Sequence, residues 1–490
     1  MDSVSGILLF FILISSLLFL ISRHKPKHHT LPPGPSPLPI IGNLLELGQK
    51  PHQSLANLAL THGPIMKLKL GQVTTIVISS AQMAKQVLQT HDQFFSNRPV
   101  PDSGKVLNHQ HYSLAFMPVS PLWRDLRKIC SNQLFAQKTL DACKDLRHKI
   151  VQQLVNDIQI GEAVDIGTTV FKTTINLLSN TIFSMDMVHS TSTTCEFKDV
   201  VTNITKLNGT PNLADYFPLL KVFDPQRIHE QSTRNHDKLL TIFGRLIHQR
   251  MVLRATTGAD PSNDMLSSLL DIAQENTFMD KTLIQHLFLE LFVAGTDTTT
   301  STLEWAMTEL LGNPNVMSKA KKELEQMIGK GKLIEETDIS KLAYLQAIIK
   351  ETFRLHPPVP FLLPRKAERD VNIGGYTIPK DAHVLINVWK IGKDSTIWDN
   401  PDSFSPERFL DSKVDVKGQH FELTPFGAGR RICPATLLAM RMLLLMLATL
   451  INSFDWKHED GFKSENIDMD EVFGMTLQKA KPLRIVPTII

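Results

Sequence analysis

The sequence predicts a mainly α-helical chain with a minor β part, behind one N-terminal membrane-spanning helix. Three observations predict it. Long stretches, Thr282–Leu311 and Ala435–Leu450 among them, carry apolar residues at helical spacing. Only Met66–Ile78 and Val371–Val388 show the short alternating or β-branched runs of strands. An uncharged apolar segment, Val4–Ile21, precedes a proline-dense connector, and no further linker or repeat follows.

The anchor is read from charge order. Asp2 precedes the apolar run, and Arg23, Lys25 and Lys27 follow it. That arrangement retains the bulk of the chain on the cytosolic side. A cleaved signal peptide needs its positive charge before the apolar stretch instead. Residues 1–22 are therefore read as an uncleaved signal anchor, 23–43 as a basic then proline-rich hinge, and 44–490 as one globular domain. In that topology the sequons at Asn203 and Asn208 stay unmodified. A net charge of +3 makes a strongly basic nucleic-acid surface a poor reading. None of Cys130, Cys143, Cys195 and Cys433 has CxxC spacing, which speaks against a zinc site and a disulfide framework.

The elements follow in order. Pro32, Pro33, Pro35, Pro37 and Pro39 hold the hinge extended. Met66–Leu70 alternates with period two, Gly71-Gln72 turns the chain, and Val73–Ile78 returns as a β-branched strand. Helical periodicity marks Leu140–Val155, Thr282–Leu311, Val316–Ile328, Leu342–Leu355 and Ala435–Leu450. Val371–Val388, punctuated by Gly374-Gly375 and Pro379-Lys380-Asp381, reads as short strands.

Four constellations carry chemistry. Phe426–Cys433 sets a cysteine after Gly427, Gly429, Arg430 and Arg431, just before an apolar helix. Positive charge favours the metal-binding thiolate, and glycines admit a flat cofactor. A lone cysteine in a Gly-rich turn is more often structural. Ala294–Thr299 places glycine, Asp297 and three threonines inside an apolar helix, against propensity, and such conflicts mark functional sites. Back-bonding threonines there are expected to open or bend the helix. An acid beside a hydroxyl, Asp297 with Thr298, suits proton delivery to a bound oxygen species. Glu351 and Arg354 are one turn apart, and Arg408 offers a second guanidinium for the same carboxylate. The bland alternative is a solvated surface pair. Trp123 and Arg127, four residues apart on a helix, share a face that can grip a carboxylate.

Together and in this order, these motifs resemble a cytochrome P-450, a haem-thiolate monooxygenase of the plant microsomal type, over essentially the whole chain. The resemblance implies a triangular helical haem-binding domain with small sheets, and haem b (iron protoporphyrin IX) as cofactor. It implies Cys433 as the axial ligand of the haem iron, with Phe426 packed near its sulfur. Trp123, Arg127, Arg365 and Arg431 match positions that bind haem propionates. Thr298 and Asp297 match the oxygen-activation threonine and its acidic neighbour, and Glu351, Arg354 and Arg408 a structural triad. One position departs: the family has glycine two residues after the cysteine, and this chain has Ala435, tolerated if the backbone there is helical.

Asn212–Pro218, Phe361–Ala367 and Asp468–Glu471 resemble the group containing geraniol 8-hydroxylase and related terpenoid hydroxylases. The implied substrate is a small or medium apolar terpenoid, with an aromatic, phenolic or amino-acid-derived metabolite as the alternative. A haem-thiolate isomerase or a non-catalytic haem protein is the alternative of another class. The implied pocket comprises Leu114, Phe116, Phe292, Val293, Ala294, Val359, Phe361, Leu362, Met475 and Thr476. Neither Gly427-Ala428-Gly429 nor Gly329–Lys332 is a nucleotide-binding loop. Electrons from NADPH are thus expected through NADPH-cytochrome P-450 reductase, docking at basic residues such as Arg124, Lys128 and Arg430. The expected location is the endoplasmic reticulum membrane, with the domain in the cytosol.

Overall fold

The helix Lys281–Gly312 is buried along most of its length because it is apolar nearly all round, the composition of a core helix. Asp280 caps its start, accepting the Leu283 amide at 2.7 Å. In this computed structural model, which describes residues 30–258, 264–276, 278–459 and 467–489, it is the central element. The expected anchor, residues 1–22, and the basic start of the hinge lie outside the described residues. Around the central helix pack Ile166–Phe183, Thr191–Gly209, Ile228–Thr257, Ala343–Leu355 and Thr436–Ser453.

The threonine cluster does not open this helix. Thr296, Thr298 and Thr299 donate to the carbonyls of Phe292, Ala294 and Gly295 at 2.7, 2.7 and 2.8 Å. Each hydroxyl is satisfied within the turn below it, so the segment stays α-helical despite poor propensity.

The other helices lie close to their periodic segments. Pro314–Met327 begins on proline, whose missing N–H costs nothing there. The segment Leu140–Val155 is instead divided into Gln137–Ala142 and Lys144–Asp157, because Cys143 leaves helical geometry at φ −97°, ψ 12°. Thr436–Ser453 is long and apolar enough to cross a membrane, but it lies largely buried in the core.

Ile65–Leu70 and Val73–Ile78 form the expected antiparallel hairpin, with Met66 opposite Val77. His383–Ile386 adds in parallel beside Val73–Ile78, and Arg365–Lys366 closes the four-stranded sheet. Val371–Ile373 and Tyr376–Ile378 make a second hairpin, turned by Gly374 and Gly375 at positive φ. A third sheet joins Val164–Asp165, Arg484–Ile489 and Phe454–His458. The first sheet matters to the site, because its edge strand carries Arg365.

Candidate active site

The cysteine loop is shaped by its glycines. Gly427 and Gly429 have φ of 70° and 68°, and a Cβ at Gly429 would lie 2.2 Å from the Leu88 carbonyl oxygen. The loop closes where the Cys433 amide donates to the Phe426 carbonyl at 2.9 Å, leaving the sulfur on the wall of a cavity. Burial pushes the Cys433 thiol up, against the Ala435 amide, Arg127 and Thr436, which favour the thiolate. Ala435 itself has φ −96° and ψ 16°, ordinary geometry that needs no glycine. Phe426 stands edge-on to Phe353, their ring centres 5.3 Å apart.

The cavity encloses about 1630 Å³ of empty space, part of it open to solvent. The central helix gives it Glu290, Leu291, Ala294, Gly295, Thr298 and Thr299, opposite the cysteine loop. Four guanidinium groups, on Arg98, Arg127, Arg365 and Arg431, share its wall with one carboxylate, on Glu290. Arg431 donates to the carbonyls of Ser96, Leu114 and Met117 at 2.8, 2.9 and 2.5 Å, and its guanidinium lies 4.3 Å from the Trp123 ring centre. Arg365 reaches Asp92 at 3.4 Å and the carbonyls of Phe95 and Ala428. Burial, then cationic neighbours, hold Arg431 down to about 10, while burial alone lowers Arg365 to about 10 against the pull of Asp92. Arg98 is pushed well below its usual range, and its Nε and Nη1 are buried with no hydrogen-bond partner. The Trp123 indole donates to the Leu114 carbonyl at 3.0 Å rather than pointing free with Arg127.

The expected pocket residues fall into two sets. Leu114, Ala294, Val359 and Leu362 line the cavity. Phe116, Phe292, Val293, Phe361, Met475 and Thr476 do not. Phe292 is fully buried against Phe243, 4.9 Å away, and Phe183, because the helix turns its ring to the outer flank. Val293 packs into the same core. Phe116 faces Gly104, and Phe361 stands edge-on to Phe473. The Met475 amide donates to the Thr205 carbonyl, and Thr476 hydrogen-bonds Asp297.

Asp297 and Thr298 do not face one space. Thr298 lines the cavity, whereas Asp297 is buried on another flank. Its carboxylate accepts from Thr205 at 2.8 Å and Gln478 at 2.6 Å, and burial raises its pKa. Successive helical residues point about 100° apart, which separates the pair.

A profile of the family Cytochrome P450 matches residues 32–485. The chain belongs to the cytochrome P450 family. It is 50% identical over 490 residues to a geraniol 8-hydroxylase of Catharanthus roseus, covering 98% of this chain and 99% of that protein. A drimenol monooxygenase of Persicaria hydropiper is 48% identical, covering 99% and 97%. A 7-ethoxycoumarin O-deethylase of Helianthus tuberosus is 49% identical, covering 99% and 98%.

This cytochrome P450 is a haem-thiolate monooxygenase, using O2 and a redox partner. Its residues fit the cofactor. A cavity with surplus guanidinium charge and unpartnered Arg98 nitrogens is what a dicarboxylate ring would relieve. Arg98 escaped the sequence reading; its only signal is a cation in Ser96-Asn97-Arg98-Pro99 just after the buried Phe95. Glu290 escaped too, although it stands one turn before Ala294 and two before Thr298 on the same helix face.

The Glu351 network lies elsewhere and is closed. Arg354 grips Glu351 through Nε at 2.7 Å and Nη2 at 2.8 Å. Its other protons go to the carbonyls of Gly392, Pro401 and Ser403. Arg408 at 3.0 Å and the Ser405 amide at 2.8 Å also donate to Glu351, both to Oε1. Both Glu351 and Arg354 side chains are wholly buried, so the solvated-pair reading fails.

Proposed function

We propose that this chain hydroxylates an aliphatic terpenoid, a geraniol-like monoterpenol or a sesqui- or diterpene. The observation that carries the choice is the aliphatic share of the cavity lining. It includes Leu114, Leu291, Ala294, Val359, Leu362 and Leu363, and it outnumbers the aromatic Trp123, Phe135 and Phe426. Phe116, Phe292 and Phe361 lie outside the lining, so few rings face an aromatic substrate. Two relatives bear terpenoid names, while the O-deethylase supports the aromatic alternative.

Bound haem supplies oxygen activation and insertion of one oxygen atom into a C–H bond. In this reading Cys433 holds the iron through sulfur, and Arg98, Arg127, Arg365 and Arg431 hold the carboxylates. Thr298 donates its proton to the Ala294 carbonyl at 2.7 Å, so its oxygen lone pairs remain available to the cavity. It accepts and relays a proton there. Asp297 secures Thr205, Thr476 and Gln478 against the central helix and acts on the cavity through that packing.

NADPH-cytochrome P-450 reductase supplies the electrons, with exposed Arg124, Lys128 and Arg430 offering positive charge to an acidic face. Attachment to the endoplasmic reticulum membrane is supported by exposed apolar side chains. Ile40, Leu45, Leu219, Val222 and Phe223 are exposed, and hydrogen bonds from the Gly71 amide to the Ile41 carbonyl and from the Gln72 amide to the Tyr216 carbonyl tie their two segments to one turn.

The test compares terpenoid alcohols with phenolics in substrate-binding spectra and reductase-supported turnover. Terpenoids are expected to bind and yield alcohols. Phenolic turnover without terpenoid turnover would select the alternative, and a normal reduced carbon-monoxide spectrum without oxygen uptake would remove the monooxygenase reading. Thr298→Ala is expected to consume NADPH with several-fold less product per turnover; unchanged coupling would take Thr298 out of proton handling.

A further inference from the structure

We propose that Glu290 is a positioning residue that sets specificity by clamping Ser113–Ala115 onto the central helix. Its Oε1 accepts the Ser113 hydroxyl at 2.9 Å and the Ala115 amide at 2.6 Å, and its Oε2 accepts the Leu114 amide at 2.6 Å. Three donors on one carboxylate are a strong, directional restraint. The carboxylate sits in an apolar run, Leu287–Val293, where an unsatisfied charge would be costly.

The clamped segment is itself part of the cavity. Leu114 and Ala115 line it, facing a helix stripe of Glu290, Ala294 and Thr298. Leu114 is held from both sides: its amide goes to Glu290, and its carbonyl accepts from Trp123 and Arg431. Glu290 therefore fixes the distance between the Leu114–Ala115 wall and the helix that carries Thr298. A substrate lying between them presents the C–H bond which that spacing allows. A slack wall admits more than one pose.

This inference rests on the proposed hydroxylase reading for its product arm only. The test uses the full-length haem-loaded protein with Glu290→Gln and Ser113→Ala. Glutamine keeps the size but turns one acceptor into a donor facing an N–H. Hydrogen exchange at amides 114–115 is expected to quicken roughly tenfold in Glu290→Gln and less in Ser113→Ala. Haem content should hold, the geraniol binding constant should rise several-fold, and the ratio of hydroxylated isomers should spread. Unchanged exchange in both variants would overturn the clamp. Faster exchange with parental binding and product ratio would reduce Glu290 to a merely structural group and overturn its role in specificity. If Glu290→Gln fails to load haem, Ser113→Ala decides by the same readings. Should no terpenoid react, the exchange and binding arms still judge the clamp, and the hydroxylase reading alone falls.

Discussion

The Glu351 network and the arginine cluster around the cavity are both rich in buried guanidinium, yet they are built in opposite ways. Arg354 spends all five of its N–H donors on protein oxygens, and Glu351 receives four. Arg98, by contrast, leaves two nitrogens buried and unpartnered, among cations that push one another's pKa values down. A closed network is complete as folded protein. An open one is finished by something with negative charge. The contrast sets Arg354, spent wholly on the fold, against Arg98, whose free nitrogens a cofactor carboxylate would complete.

The largest effect is expected on breaking the closed network. Glu351→Ala would strand a fully buried Arg354, a loss of roughly 3–5 kcal/mol. Expression should yield little soluble haem protein, measured as the reduced carbon-monoxide band per mole of chain. Survival of that band at parental level would show the network to be ornamental. Arg98→Ala should do the reverse. Removing an unpaired buried cation leaves the haem-free protein as stable or more so, while haem dissociation quickens about tenfold, the worth of one charge-assisted hydrogen bond. Thermal melts with and without haem, with a haem-transfer assay, test the sign in each state.

A third group of buried bases avoids the problem by staying neutral. His109, His236 and His286 meet at the junction of residues 106–111, the Ile228–Thr257 helix and the central helix. His109 and His286 share a 2.9 Å hydrogen bond. Burial lowers all three, His236 and His286 to about 4. Their folded pKa values lie below the unfolded value near 6.5, so the unfolded chain takes up protons first. Stability is fully present above pH 6.5 and falls as pH drops toward 4. Melting temperature should decline over that window, and His236→Gln should flatten the decline; the same slope in the variant would remove His236 from it.

These differences also mark where the sequence could be read. The Met66–Ile78 hairpin was legible because alternation has one solution, and the tight turn before Cys433 because Gly427 and Gly429 mark its positive-φ positions. The face of the central helix was not. A helix apolar all round has no periodic stripe, so nothing separates Leu291, which lines the cavity, from Phe292, which does not. For the same reason nothing in the sequence shows that Thr298 lines the cavity while Asp297 turns to Thr205 and Gln478. Arg98 and Glu290 depend on distant segments, Arg98 on the cavity wall and Glu290 on residues 113–115, and no local pattern announces such a meeting. The break at Cys143 left no glycine or proline to signal it.

The smallest expected effect concerns Ala435, two residues after Cys433, where the sequence resemblance implies a glycine. A glycine there would be required only by positive φ or by backbone contact, and φ is −96°. Ala435 stands at the N-cap of Thr436–Ser453, where glycine is the better cap, yet glycine also loses more entropy on folding. The two terms oppose each other and are each below about 1 kcal/mol, so Ala435→Gly should shift the melting temperature by only a few degrees. Because the methyl lines the cavity, the haem absorption bands give the sharper reading. Unmoved bands mean that the alanine is a neutral cap. A displaced band, with stability unchanged, would mean that the methyl presses on the cofactor and tunes it beside Cys433.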